Sequence, residues 1–97
     1  MSETTENENN KKTKLSPAFL AAHNLRISKS SDYGGIKEYF PFRDYSFAQM
    51  IHIKSKRLVN LIKSASVINH ESVSDSLLDL INYASYYYEW LEGDLDE

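Results

Sequence analysis

Residues 69–91 read NHESVSDSLLDLINYASYYYEWL, and the fold turns on this stretch. Val73, Leu77, Leu80, Ala84, Tyr87 and Leu91 recur at three- and four-residue steps, the period of a helix with one apolar stripe. The spacing predicts a helix over 70–92, and Gly93 follows where a left-handed residue commonly ends one. Glu71, Asp75 and Asp79 stand at steps of four, so a turn of about 3.6 residues sets three carboxylates on one stripe, with Asn82 and Tyr86 beyond them. Like charges so placed repel. Either that face is solvated or a cationic group meets it.

The preceding segment supplies the cation. Ser46 is a candidate N-cap for FAQMIHIKSKRLVNLIKSA, residues 47–65, in which Phe47, Met50, Ile51, Leu58, Leu61 and Ile62 predict an amphipathic helix over 46–65. At about 100° per residue Lys54 falls in the middle of that apolar arc, and a buried ammonium needs a partner. If residues 66–70 close an antiparallel hairpin, Lys54 comes opposite Asp79, and Arg57 or Leu58 opposite Asp75. Three readings follow: an interhelical ion pair that fixes register, carboxylates turned to solvent, or a polar pocket that handles a phosphorylated ligand directly or through Mg²⁺. His52 and His70 read as surface residues.

Upstream, Ser16 and Pro17 open LSPAFLAAHNLRISK with a cap and a first-turn proline, predicting a short helix over 16–27. SSDYGGIKEYFPFRDY, residues 30–45, then reads as an ordered loop, because Gly34 and Gly35 permit positive φ and Pro41 interrupts helix. Its aromatics, Tyr33, Tyr39, Phe40, Phe42 and Tyr45, either plug the end of a small helical core or form a stacking wall for a base. Residues 1–14 hold one apolar residue, Met1, and read as a flexible tail. The domain plan is therefore a tail over 1–14, one all-α domain over 15–93, and an acidic tail over 94–97. The fold class is a short N-terminal helix plus an antiparallel hairpin of two long helices, oligomerising through helix–helix packing, since a chain of 97 residues buries a modest core alone.

The net charge is −3, but its distribution is uneven. Residues 46–63 carry Lys54, Lys56, Arg57 and Lys63 without an acid, whereas 71–97 are acidic without a Lys or Arg. The acidic half argues against general nucleic-acid binding. The absence of cysteine excludes disulfides and thiolate chemistry and fits a reducing, cytoplasmic location. No apolar run approaches membrane-spanning length, so no membrane partner is expected.

KSSDYGGIKEYF (29–40), QMIHIKSKRLVNL (49–61) and ESVSDSLLDLINYA (71–84), in this order, resemble the nucleotide-modification-associated domain family common in bacteriophages. The matching positions are Lys29, Asp32, Tyr33, Gly34, Lys54, Arg57, Leu58, Glu71, Ser72, Asp75, Leu77, Asp79, Asn82, Tyr83 and Ala84. That family is similar in turn to the MazG-like all-α nucleotide pyrophosphatases, which bind Mg²⁺ through Glu-x-x-Glu on one helix and Glu-x-x-Asp on the next. The chain departs from that pattern, with no acid between Phe47 and Ser66 and with Ser76 three residues before Asp79. The resemblance implies nucleoside triphosphates as ligands and hydrolysis between the α and β phosphates. Because the metal-ligand pattern is incomplete, the favoured reading is loss of catalysis with retained binding of a nucleotide or cyclic nucleotide, without a cofactor. Its candidate site is Lys29, Asp32, Tyr33, Lys54, Lys56, Arg57, Asp75, Asp79, Asn82 and Tyr83, with Lys54, Lys56 and Arg57 as phosphate donors and Tyr33 stacking. Sequestering a messenger nucleotide of bacterial immunity in the infected host's cytoplasm extends this reading. One alternative is a Mg²⁺-dependent triphosphate pyrophosphohydrolase with Glu71, Asp75 and Asp79 as metal ligands completed across an oligomer interface. The other is a helical interaction module without a small ligand.

Overall fold

The computed structural model describes residues 14–33 and 36–95, and every regular element among them is helical. In chain order these are α1 (Pro17–Tyr33), α2 (Ile36–Tyr39), α3 (Asp44–Lys63) and α4 (His70–Glu92). None is long and apolar enough to cross a membrane. The expected tail over 1–14 lies outside the described residues apart from Lys14, and of 94–97 only Asp94 and Leu95 are described.

Both ends of α4 follow from local chemistry. Asn69 caps the start, its Oδ1 accepting the Ser72 amide at 3.1 Å. At the other end Gly93 adopts φ +78°, with its amide donating to the Trp90 carbonyl at 3.2 Å and the Asp94 amide to that of Glu89 at 2.8 Å. Ser16 caps α1 as expected, accepting the Phe19 amide at 3.1 Å. This helix runs on to Tyr33 rather than ending near 27, and within the added length the Ser28 and Ser30 hydroxyls donate back to the carbonyls of Leu25 and Ile27 at 2.9 Å.

The expected loop over 30–45 is therefore largely helix, leaving a turn from Phe40 to Arg43. Ser46 is not the N-cap of α3. The helix starts two residues earlier, and the buried Ser46 hydroxyl accepts the Phe42 amide at 2.8 Å, tying the turn to the first helical coil. Arg43 precedes the helix at φ 60°, an uncommon conformation for a side-chain-bearing residue, and its guanidinium lies 5.5 Å from the Trp90 ring centroid.

The core is aromatic. Phe47, 1% exposed, stacks on Phe40 at 4.4 Å and on Tyr87 at 5.3 Å, with Trp90 at 5.8 Å. Tyr83 and Tyr86 complete the buried cluster, flanked by Met50 and Ile51. Among the five upstream aromatics, Phe40 plugs the core and Tyr39 packs edge-on against it, whereas Phe42 and Tyr45 are exposed. The Tyr33 side chain lies outside the described residues.

The buried side of α4 only partly follows the expected stripe: Val73, Leu80 and Tyr87 are half-buried, Leu77, Ala84 and Leu91 are exposed, and Ser76, Asn82, Tyr83 and Tyr86 are buried. The expectation assumed one neighbour, but α4 contacts both α3 and α1 and buries the arc between them. Ser76 is enclosed in that arc, and among the described residues its Oγ has no hydrogen-bond partner. A buried hydroxyl without a partner costs about 1–3 kcal/mol. Ser76→Ala should therefore raise stability, by about 1 kcal/mol in urea denaturation, and a loss of stability would contradict the assignment.

Candidate functional site

The contacts between α3 and α4 run forward along one helix and backward along the other, from Phe47 against Tyr87 to Lys54 against Asp79. Lys54 Nζ lies 3.0 Å from Asp79 Oδ2, with the two side chains 23% and 19% exposed. The ammonium has three donors, and one carboxylate oxygen occupies one of them. The partner expected from the sequence is the partner found.

The other candidates divide among several surfaces. Lys56 and Arg57 are exposed on α3, and Glu71 and Asp75 are exposed on α4. Among the described residues no ion pair joins Arg57 to Asp75, because the half-buried Leu58 takes the inward position and leaves Arg57 on the margin. Asn82, three residues past Asp79, turns away from Lys54 and lines a groove between α1 and α4. Tyr83 belongs to the aromatic core, edge-on to Phe40 at 6.0 Å. Lys29 is half-buried on α1, a helix that packs on α4. Asp32 lies in the last turn of α1, and its side chain, like that of Tyr33, is outside the described residues.

An exposed stripe on α3 was not anticipated. Tyr45, His52, Lys56 and Lys63 are separated by seven, four and seven residues, so they share one outward face of the helix. Tyr45, 79% exposed, offers an aromatic face at one end of the stripe that carries Lys56 and Lys63. The acids do not gather comparably. Among the described residues no three His, Asp or Glu side chains form a group able to hold a metal ion, so Glu71, Asp75 and Asp79 do not converge within one chain.

The most densely bonded charge cluster was also missed. Arg26 of α1 donates to both oxygens of Glu89 on α4, at 2.9 and 2.7 Å, and to the Ser85 hydroxyl at 3.2 Å. The same guanidinium sits 4.2 Å from the Tyr86 ring centroid. The available signal was of the Lys54 kind, since Arg26 falls one turn after the buried Ala22 on α1. Its partner was hidden because it depends on where α1 lands. The Glu89 hydrogen bond, supported by coulombic attraction, raises the Arg26 pKa against the opposing effect of burial. In return the bonds from Arg26 hold the Glu89 carboxyl below its ordinary value, with a smaller contribution from His23.

Comparison with protein-family models, curated proteins and solved structures finds no match to this chain.

Because Glu89 has a lower pKa folded than unfolded, its stabilising contribution is complete above the unfolded value and fades as pH falls through the folded one. Glu89→Gln should cost about 1 kcal/mol at neutral pH, reflecting a bidentate pair that still sees solvent. The variant should also lose less stability than the parent between about pH 5 and pH 3. Denaturation profiles that remain parallel across that range would show that Glu89 does not contribute to the acid limb.

Proposed function

We propose that this chain is a small all-α module that binds a nucleotide or a nucleotide-derived, phosphate-bearing ligand, and that its working form is a homo-oligomer. The observation that carries this reading is the meeting of Lys54 and Asp79 at 3.0 Å. That contact joins two of the three segments on which the phage-family resemblance rests, QMIHIKSKRLVNL on α3 and ESVSDSLLDLINYA on α4. At the seam Lys54 is held by Asp79 yet partly accessible. Beside it Arg57 is an exposed cation, on a helix that has no acid after Asp44.

In this arrangement Asp79 positions Lys54, the remaining donors of Lys54 reach a ligand phosphate, and Arg57, on the margin of the seam, adds charge-assisted hydrogen bonds. Binding without turnover is favoured over pyrophosphohydrolysis because Glu71 and Asp75 stand exposed while Asp79 is engaged by Lys54. Sequestration of a signalling nucleotide suits such a binder. The interaction-module reading draws on a different observation, the apolar groove between α1 and α4.

Nucleoside triphosphates and cyclic nucleotides, screened by thermal shift with and without Mg²⁺, should stabilise the protein in the absence of metal. Stabilisation only with Mg²⁺, accompanied by turnover, would favour the hydrolase. Lys54→Met alone should cost about 2 kcal/mol by leaving Asp79 half-buried and unpaired, and adding Asp79→Leu should recover most of that loss. The recovered double variant should no longer bind by calorimetry, since an apolar pair offers an anion nothing. Binding at the original affinity would remove both residues from the site.

A further inference from the structure

The groove between α1 and α4, about 600 Å³ in volume, is lined chiefly by Leu15, Phe19, Ala22, Ile81, Ala84 and Tyr88. Its rim projects: Leu15, Phe19 and Tyr88 are 60%, 57% and 64% exposed. An apolar depression with large apolar side chains standing beside it is a surface built to be covered. The chain's own ends do not suit it, because residues 1–13 hold one apolar residue and 94–97 hold only Leu95 among acids.

We infer that a second copy of this chain covers the groove, in a two-fold interface that inserts Phe19 and Tyr88 of each protomer into the α1/α4 groove of the other. The inference rests on the homo-oligomer reading above and locates its interface. Two-fold symmetry sets a patch against itself, so the patch must carry both knob and hole and must not carry charge of one sign. The outward face of α3 fails that requirement, since Lys56, Arg57 and Lys63 would meet their own copies. The N-terminal half of α4 fails for the opposite sign, through Glu71 and Asp75. The groove meets it. Its charged lining residues are Arg26 and Glu89, already bonded to each other at 2.7 and 2.9 Å, with His23 as the remaining titratable neighbour besides Tyr88. Pairing through this face also leaves the α3 cations free for the ligand.

Light scattering at tens of micromolar protein should give twice the chain mass for the full-length protein. Phe19→Asp and Tyr88→Asp, both at exposed positions, should keep the helical circular-dichroism signal and give the single-chain mass. Val59→Asp, an exposed change on the outward face of α3, should remain dimeric. A single-chain mass for the unaltered protein would overturn the inference together with the homo-oligomer reading. A dimer that survives both groove substitutions, or one that Val59→Asp alone dissociates, would overturn the location while leaving self-association standing. Nucleotide binding is read separately by calorimetry on the same samples, and its failure would not move the masses.

Discussion

Phe47 sits between the rings of Phe40 and Tyr87, and the rest of the described structure depends on that sandwich. A small helical chain has few places to bury a large side chain completely, and such burial contributes about 1.5–3 kcal/mol per residue. Stacking on Phe40 pulls the turn before α3 against the start of the helix, where Ser46 anchors it through the Phe42 amide. Stacking on Tyr87 sets how far α4 is advanced along α3. Once that is fixed, two turns further along α3 and two turns back along α4, Lys54 arrives at Asp79. Aromatic packing sets the register, and the ion pair reports it.

α4 is shared between two neighbours, and this divides the charges of the chain into separate tasks. Toward α3 it offers Asp79 to Lys54; toward α1 it offers Glu89 to Arg26. Each pair retains some solvent exposure, so neither bears the full desolvation cost of a buried pair. They differ in what remains available. Arg26 is engaged by Glu89, Ser85 and the Tyr86 ring, which leaves it a structural clamp. Lys54 retains donors and stands beside the exposed Arg57. The proposed ligand face and the proposed self-association face accordingly lie against different neighbours of α4.

Much of the fold was legible because its signals are local. The extent of α4 followed from periodicity and Gly93, and the start of α1 from Ser16 and Pro17. Lys54 and Asp79 could be paired in advance because a connection of a few residues allows little choice of register. Signals that depend on three-dimensional neighbours did not transfer. Ser46 looked like a cap, but its hydroxyl serves the Phe42 amide from inside the helix. The apolar stripe of α4 was set on Val73, Leu77, Leu80, Ala84, Tyr87 and Leu91; Val73, Leu80 and Tyr87 are half-buried, but with two neighbouring helices the most buried positions are Ser76, Asn82, Tyr83 and Tyr86. Arg26 and Glu89 are 63 residues apart, and no local rule brings them together. Within the candidate site, Lys54 and Asp79 meet at one seam with Arg57 on its margin, while Lys56 lies on the outward face of α3, Asn82 turns to the groove and Tyr83 enters the core.

The most direct test of the division between the two faces is to titrate ¹⁵N-labelled protein with nucleoside triphosphates and cyclic nucleotides and to follow the amide resonances. Binding at the seam should shift the amides of Lys54 to Leu58 and of Asp75 to Asp79, and leave Phe19, Ala22 and Tyr88 in place. Shifts confined to the groove residues, or no shift with any nucleotide at millimolar concentration, would contradict it.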